Sequence, residues 1–288
     1  MKAMSVLILM FLILSSPEHS YNAAVQAIRV WGLDVVPSLF PYMVLCQSLA
    51  SQLKQKPALF SYFTPILGLL GGSPAGSAAL AQTHSISCAS HRRLLGLCAL
   101  CGTISPMFFL GPISSWLNSH VAGRQLLAAH WIAAFLSSFC VKRFFPDVPL
   151  EKQTYPAAQS ENTNPISRSV NSVLSVGGCI VFYSAAASSV CSTLPFMSDV
   201  HRAVLWAVAE VSGGLKALCE CSLPAGTKLI LCAAVSGFSG LSILTQNLVF
   251  LRPLGIRMKQ LIYLGLIRAG FSALIMGIFL LYSSNALR

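Results

Sequence analysis

Charge is what this sequence has least of. Only 9% of its 288 residues are charged, and only eight are Asp or Glu, where a water-facing domain carries roughly 25% charged residues. A chain so poor in charge cannot cover its surface with hydrated groups, which excludes an ordinary soluble globule. The marks of several enzyme classes are missing too: there is no G-x-x-x-x-G-K-[ST] loop, no H-E-x-x-H pair and no G-x-S-x-G turn. No nucleophile stands at a plausible spacing from a base, so an enzyme is not expected. Basic residues are nowhere joined to stacking aromatics, so the net charge of +11 is not read as a nucleic-acid footprint.

Ten cysteines are present, most of them inside apolar runs, where the thiol acts as a small hydrophobe rather than as half of a disulfide framework. Cys98 and Cys101 form a CxxC and Cys219 and Cys221 a CxC. Both pairs adjoin membrane segments and have no His nearby, so packing is expected rather than a metal site, and no cofactor is expected beyond a coupling Na⁺ or H⁺.

What the chain has is long apolar runs. It is 55% hydrophobic, with a mean hydropathy of +0.70. Windows at 35–51, 94–117, 126–141, 173–194, 229–251 and 261–282 approach or exceed the 20 or so helical residues that cross a hydrocarbon layer of roughly 30 Å. Backbone in lipid must satisfy its own hydrogen bonds, and runs this uniform do not alternate as barrel strands do. The expectation is an all-α, polytopic membrane protein. Residues 1–20 read as a first membrane helix or a signal-like segment, the missing A-x-A favouring a retained helix. Residues 21–31 read as an amphipathic stretch at the interface, with Asp34 marking an interface nearby.

The basic residues orient the runs. With Lys2 in the cytoplasm, Lys54 and Lys56 fall on the same side as Arg92 and Arg93 only if 57–91 enters and leaves by one face, turning at the "GGSPAG" of 71–76. A second hairpin, within 200–223 and interrupted at "SGG", then enters from the opposite face. On this drawing twelve of the 19 basic residues are cytoplasmic, five are outside, and Lys216 and Arg268 are embedded. The rival topology has both hairpins crossing fully.

The halves repeat. "LCALCGTISPMFFL" at 97–110 aligns without a gap to "LCAAVSGFSGLSIL" at 231–244, and "RQLLAAHWIAAFLS" at 124–137 to "KQLIYLGLIRAGFS" at 259–272. Each half has the order span, hairpin, interrupted span, span. Three crossings per half give the halves opposite orientation. The expected organisation is a first repeat at 21–145, a polar, proline-bearing cytoplasmic linker at 146–168 and a second, inverted repeat at 169–285. Inverted repeats with broken helices build many secondary transporters, with the substrate near the midplane.

The candidate site follows from the breaks. Gly72, Ser73, Pro74 and Gly76 sit at the tip of the first hairpin, where glycine permits a tight turn and free amides attract polar or anionic atoms. Thr103, Ser105 and Pro106 break the first interrupted span; Ser236, Ser239 and Gly240, followed by Gln246 and Asn247, break the second. Such groups suit a polar solute or Na⁺, and the alternative is back-bonding of the hydroxyls to their own helix. Glu210, with Ser212 and Gly213, marks the second hairpin, and a carboxylate inside a membrane segment is functional by default. It would bind a cation, relay a proton or touch substrate. Lys216 lies off its helical face; Arg268 would pair or snorkel, and His130 would pack.

Taken in order, "GGSPAGS", "LCALCGTISPMFFLG", "AEVSGGLKAL" and "SGFSGLSILTQ" resemble the sporulation integral membrane proteins of the YlbJ type, within the nucleoside-recognition (Gate) domain class, over roughly residues 21–285. Glu210, Pro74, Gly76, Pro106, Gly240 and Gln246 fit that pattern, while Ala78, Ala79, Gly102, Thr103 and Gly213 depart from it. The resemblance implies an inverted-repeat, transporter-like fold with two re-entrant hairpins and two interrupted helices. It implies a multi-pass protein of the cell membrane or a forespore membrane that moves a small polar solute or a dipicolinate-like anion. The partners it implies are lipid, the solute, and either a second copy or other sporulation membrane proteins. The other reading is a non-transporting assembly factor or gate.

Overall fold

In a computed structural model, residues 2–53, 55–84, 90–144, 164–194 and 196–285 are described, and all regular structure among them is helical. The helices are α1 (Lys2–Ser15), α2 (Pro17–Leu53), α3 (Pro57–Gly71), α4 (Ala75–His84), α5 (His91–Cys101), α6 (106–116), α7 (His120–Phe144), α8 (Pro165–Ser192), α9 (Asp199–Ala209), α10 (Val211–Glu220), α11 (Ala225–Phe238), α12 (Gly240–Leu251) and α13 (Met258–Asn285). Counting α5–α6 and α11–α12 as one span each, six spans among the described residues are long and apolar enough to cross a membrane.

Prolines start several helices. Pro17, Pro57, Pro106 and Pro165 each stand in the first turn, where the missing N–H is not needed and the fixed φ already suits a helix. Asn164 caps α8 by accepting from Ile166 N–H at 3.1 Å. The linker read at 146–168 therefore ends earlier than expected; its last residues are the cap and first turn of α8, and 145–163 lie outside the described residues.

Another boundary also moved. The interfacial stretch at 21–31 and the span beginning at 35 are one helix, α2, joined by π-helical backbone at Val30–Val35. What holds the whole length is α8, which runs antiparallel beside it. Ser188 Oγ donates to His19 O at 3.1 Å, Trp31 Nε1 to Val173 O at 3.1 Å, and Arg168 Nη2 bonds Ser51 Oγ.

Around this pair, α13 packs on α11 and α7, and α7 packs on α5. The core has two main clusters. One, with Met43, Phe109, Leu126, Leu215 and Met276, joins the two halves; the other gathers Leu80, Leu94, Leu95, Leu251 and Leu261. The outer surface carries large apolar side chains such as Leu33, Tyr62, Phe139, Leu266 and Leu274, as lipid requires.

Candidate functional site

Two helical hairpins meet the two broken spans. The first, α3–α4, turns at Gly72–Pro74. Gly72 has φ 65°, and a Cβ there would lie 2.6 Å from Ser105 N, so only glycine lets the tip reach the break between α5 and α6. The tip is then tied down by hydrogen bonds. Ser73 N–H donates to Thr103 O at 2.8 Å, and the hydroxyls of Ser73 and Ser77 both donate to Asn247 Oδ1, at 2.7 and 2.9 Å. Asn247 belongs to α12, so the first hairpin is pinned to the second half of the chain.

The second hairpin, α9–α10, turns on one residue. Glu210 is extended, with φ −138° and ψ 114°, and is fully buried. Its Oε1 accepts from Ser212 N–H at 2.8 Å and its Oε2 from Gly213 N–H at 2.7 Å. The carboxyl thus caps the first turn of α10 by filling two of its free amides. The expected interruption at "SGG" is displaced: Ser212–Gly214 form the first turn of α10, because the carboxylate holds their amides in helical register. Gly214 lets the arms close, since a Cβ there would lie 2.1 Å from Ala207 N.

The breaks have their own braces. Between α5 and α6, Ile104 N–H donates to His130 Nε2 at 3.2 Å, and Thr103 Oγ1 donates to Leu100 O at 3.2 Å. Between α11 and α12, Ser239 takes the left-handed conformation, φ 73°. Arg268 is buried there and donates to Gly237 O at 2.6 Å, Ser239 Oγ at 2.8 Å and Ala99 O at 3.2 Å. It neither pairs with a described carboxylate nor snorkels.

The elements enclose a chamber of about 40 Å³, space for a few waters. Of the residues singled out in the sequence, Ser73, Ser105, Glu210, Ser212 and Gln246 line it, contributed by both hairpins and both broken spans. Ser242 joins them. Three of its buried polar atoms, Ser105 Oγ, Ser242 Oγ and Gln246 Nε2, have no hydrogen-bond partner among the described residues. Apolar walls come from Val35 and Leu39 of α2 and Val176 and Ile180 of α8.

A second, wider cavity of about 440 Å³ opens beside it, lined by Pro74 and α4, the C-terminal half of α2, the N-terminal half of α8, and α12. Gln246 lines both. Beyond the chamber on the other side, Lys216 of α10 pairs with Asp34 of α2 at 3.7 Å, and its Nζ lies 5.9 Å from the Trp116 ring centroid.

The remaining sequence candidates are elsewhere. Gly72, Gly76, Thr103, Pro106, Gly213 and Gly240 shape the turns behind the chamber without lining it, and Pro74 faces the wide cavity. Ser236 and Ser239 donate to Ala233 O and Ser236 O, both at 3.1 Å, so both hydroxyls back-bond to their own helix, and that of Ser239 also accepts from Arg268. Ser242 was missed because nothing distinguishes it from other helical serines in the sequence. The two cysteine motifs do not converge: Cys98 and Cys101 pack with Leu80 and Leu94, and Cys219 Sγ lies 4.0 Å from Cys232 Sγ.

No protein-family model matches the chain, and no solved structure matches it. Among curated proteins it is similar to the sporulation integral membrane protein YlbJ of Bacillus subtilis (strain 168). The two are 22% identical over 91% of this chain and 78% of that protein. The chain is a multi-pass integral membrane protein and a distant relative of YlbJ. That similarity covers both hairpins and both broken spans, so the chamber lies inside the region shared with YlbJ.

Proposed function

We propose that the chain is a sporulation-associated transporter or facilitator of a small polar organic solute or anion, dipicolinate-like by resemblance, whose path runs through the chamber between the hairpin tips. The observation that carries this reading is the chamber's lining. Three unpartnered polar atoms, one from the break between α5 and α6 and two from α12, converge on one buried space, where an unmade hydrogen bond costs about 1–3 kcal/mol each. A polar solute passing between the tips would repay that cost.

The re-entrant, inverted arrangement supports the reading. At 1.5 Å per residue, hairpin arms of 15, 10, 11 and 10 residues measure about 22, 15, 16 and 15 Å, short of the roughly 30 Å hydrocarbon layer. Entering from opposite faces, they would meet near the midplane. The wide cavity is then a cytoplasmic vestibule, since Lys56, Arg168 and Arg252 stand at its end of the helices. Asp34, Lys216 and Trp116 close the far side. Movement of one repeat against the other would open it. Glu210 is the only carboxyl among the described residues that line the chamber, which would give a coupling H⁺ or Na⁺ one address.

The test is uptake of labelled dipicolinate by proteoliposomes. Glu210→Gln is expected to abolish uptake while helix content stays unchanged; unchanged uptake removes Glu210 from the path. A parent protein that moves no solute but co-purifies with stable membrane partners favours the assembly-factor reading instead.

A further inference from the structure

We propose that the wide vestibule is an anion-selecting antechamber, in which the Arg168 guanidinium draws carboxylate-bearing solutes toward Gln246 and turns cations away. This rests on the transport reading above and assigns the charge filter to a place outside the chamber itself.

The inference starts from α8. Arg168, Asn171, Ser172 and Ser175 stand at i, i+3, i+4 and i+7, which puts them on one face of the helix, and all four line the vestibule. They form a polar strip that runs inward and ends where Gln246 divides the vestibule from the chamber. The rest of the wall is largely apolar, with Leu67, Ala79, Val249 and Phe250.

Arg168 is the only formally charged residue among the described residues that line this space. Its Nη2 bonds the Ser51 hydroxyl, its buried Nε has no partner among the described residues, and no described carboxylate lies in ion-pair reach. A cation that no described residue neutralises, set between low-dielectric walls, focuses a positive field into the cavity. Arginine adds geometry to sign, because its planar fork matches a carboxylate in a way that an ammonium does not.

The chamber beyond carries the opposite formal charge. Glu210 is there, but both of its oxygens are engaged by the amides of Ser212 and Gly213. The positive site is the vestibule, while the chamber offers hydroxyls and an amide beside the capped carboxyl of Glu210.

Two native thiols report on the vestibule, since Cys46 and Cys179 both line it. The purified full-length chain is treated with two methanethiosulfonates of similar size, one bearing a sulfonate and one a trimethylammonium. Rates at Cys46 and Cys179 are read by peptide mass spectrometry and normalised to each reagent's rate on a free thiol. The sulfonate reagent is expected to react about tenfold faster than the cationic one. The ratio is expected to fall toward one in Arg168→Gln, to survive in Arg168→Lys, and to shrink at 1 M salt. A ratio near one in the parent, or a preference that persists in Arg168→Gln, overturns the proposal. Should Arg168→Gln not fold, a parent preference that salt leaves unchanged overturns it equally. A clear preference with no solute uptake would sink the transport reading and leave the charge filter standing.

Discussion

The hairpin α3–α4 turns on backbone, and the hairpin α9–α10 turns on a side chain. In the first, a left-handed glycine and a proline redirect the chain, and the tip is then held from outside by Thr103 O and Asn247 Oδ1. In the second, one extended residue interrupts the helix and its own carboxylate restarts it. Both solve the same problem, which is to end one helix and begin another inside packed protein, where the freed amides need partners. The difference teaches where each tip is vulnerable. The first depends on its neighbours, the second on its own side chain.

Substitutions can break that comparison. The largest effects are expected where the two hairpins are alike. Gly72→Ala and Gly214→Ala each push a Cβ into backbone, 2.6 Å from Ser105 N and 2.1 Å from Ala207 N. Each should destabilise by about 3 kcal/mol or more, read as lost expression and a lower Tm in detergent. Equal losses support a shared, backbone-limited tip; a tolerated Gly214→Ala would mean that the arms of α9–α10 are looser than they stand here.

Next comes the change that separates the hairpins. Asn247→Ala leaves the Ser73 and Ser77 hydroxyls without their acceptor and should cost about 2 kcal/mol. Cysteines placed along α4 should then label faster, while labelling along α10 stays unchanged. Equal loosening of both hairpins would show that Asn247 braces the core generally rather than the first tip.

The smallest effect concerns the far side. Lys216 and Asp34 remain 38% and 26% exposed, so Asp34→Asn should change stability by no more than about 1 kcal/mol. Its signature is access. A cysteine at Ser242 should react faster with an impermeant thiol reagent added from the Asp34 side, and an unchanged rate would show that this pair does not close the path.

Much of the frame was legible because glycine, proline and charge are local signals. The tip at Gly72–Pro74 and the breaks near Ser105 and Ser239 lie where the sequence loses its helical monotony. What could not be read was which side of a helix faces the chamber. Gln246 and Asn247 are neighbours, yet one lines the chamber and the other pins a hairpin, because successive residues point about 100° apart and only tertiary packing fixes the rotation. Lys216 reads in the sequence as lying off the helical face of Glu210, but nothing local points to its partner Asp34, far along the chain. The helices that read as plain spans, α2 and α8, supply the apolar walls, and nothing in an apolar run announces that.

Arg268 reaches from α13 to Gly237, Ser239 and Ala99, so one guanidinium spans the kink of the second broken span and the body of the first. Pulling those two spans apart would strand a buried cation with no water to turn to. They are therefore tied into one block. If the chain transports as proposed, the rocking that opens the Asp34 side would be carried by the hairpins and by α2 and α8, sliding around a centre that does not come apart.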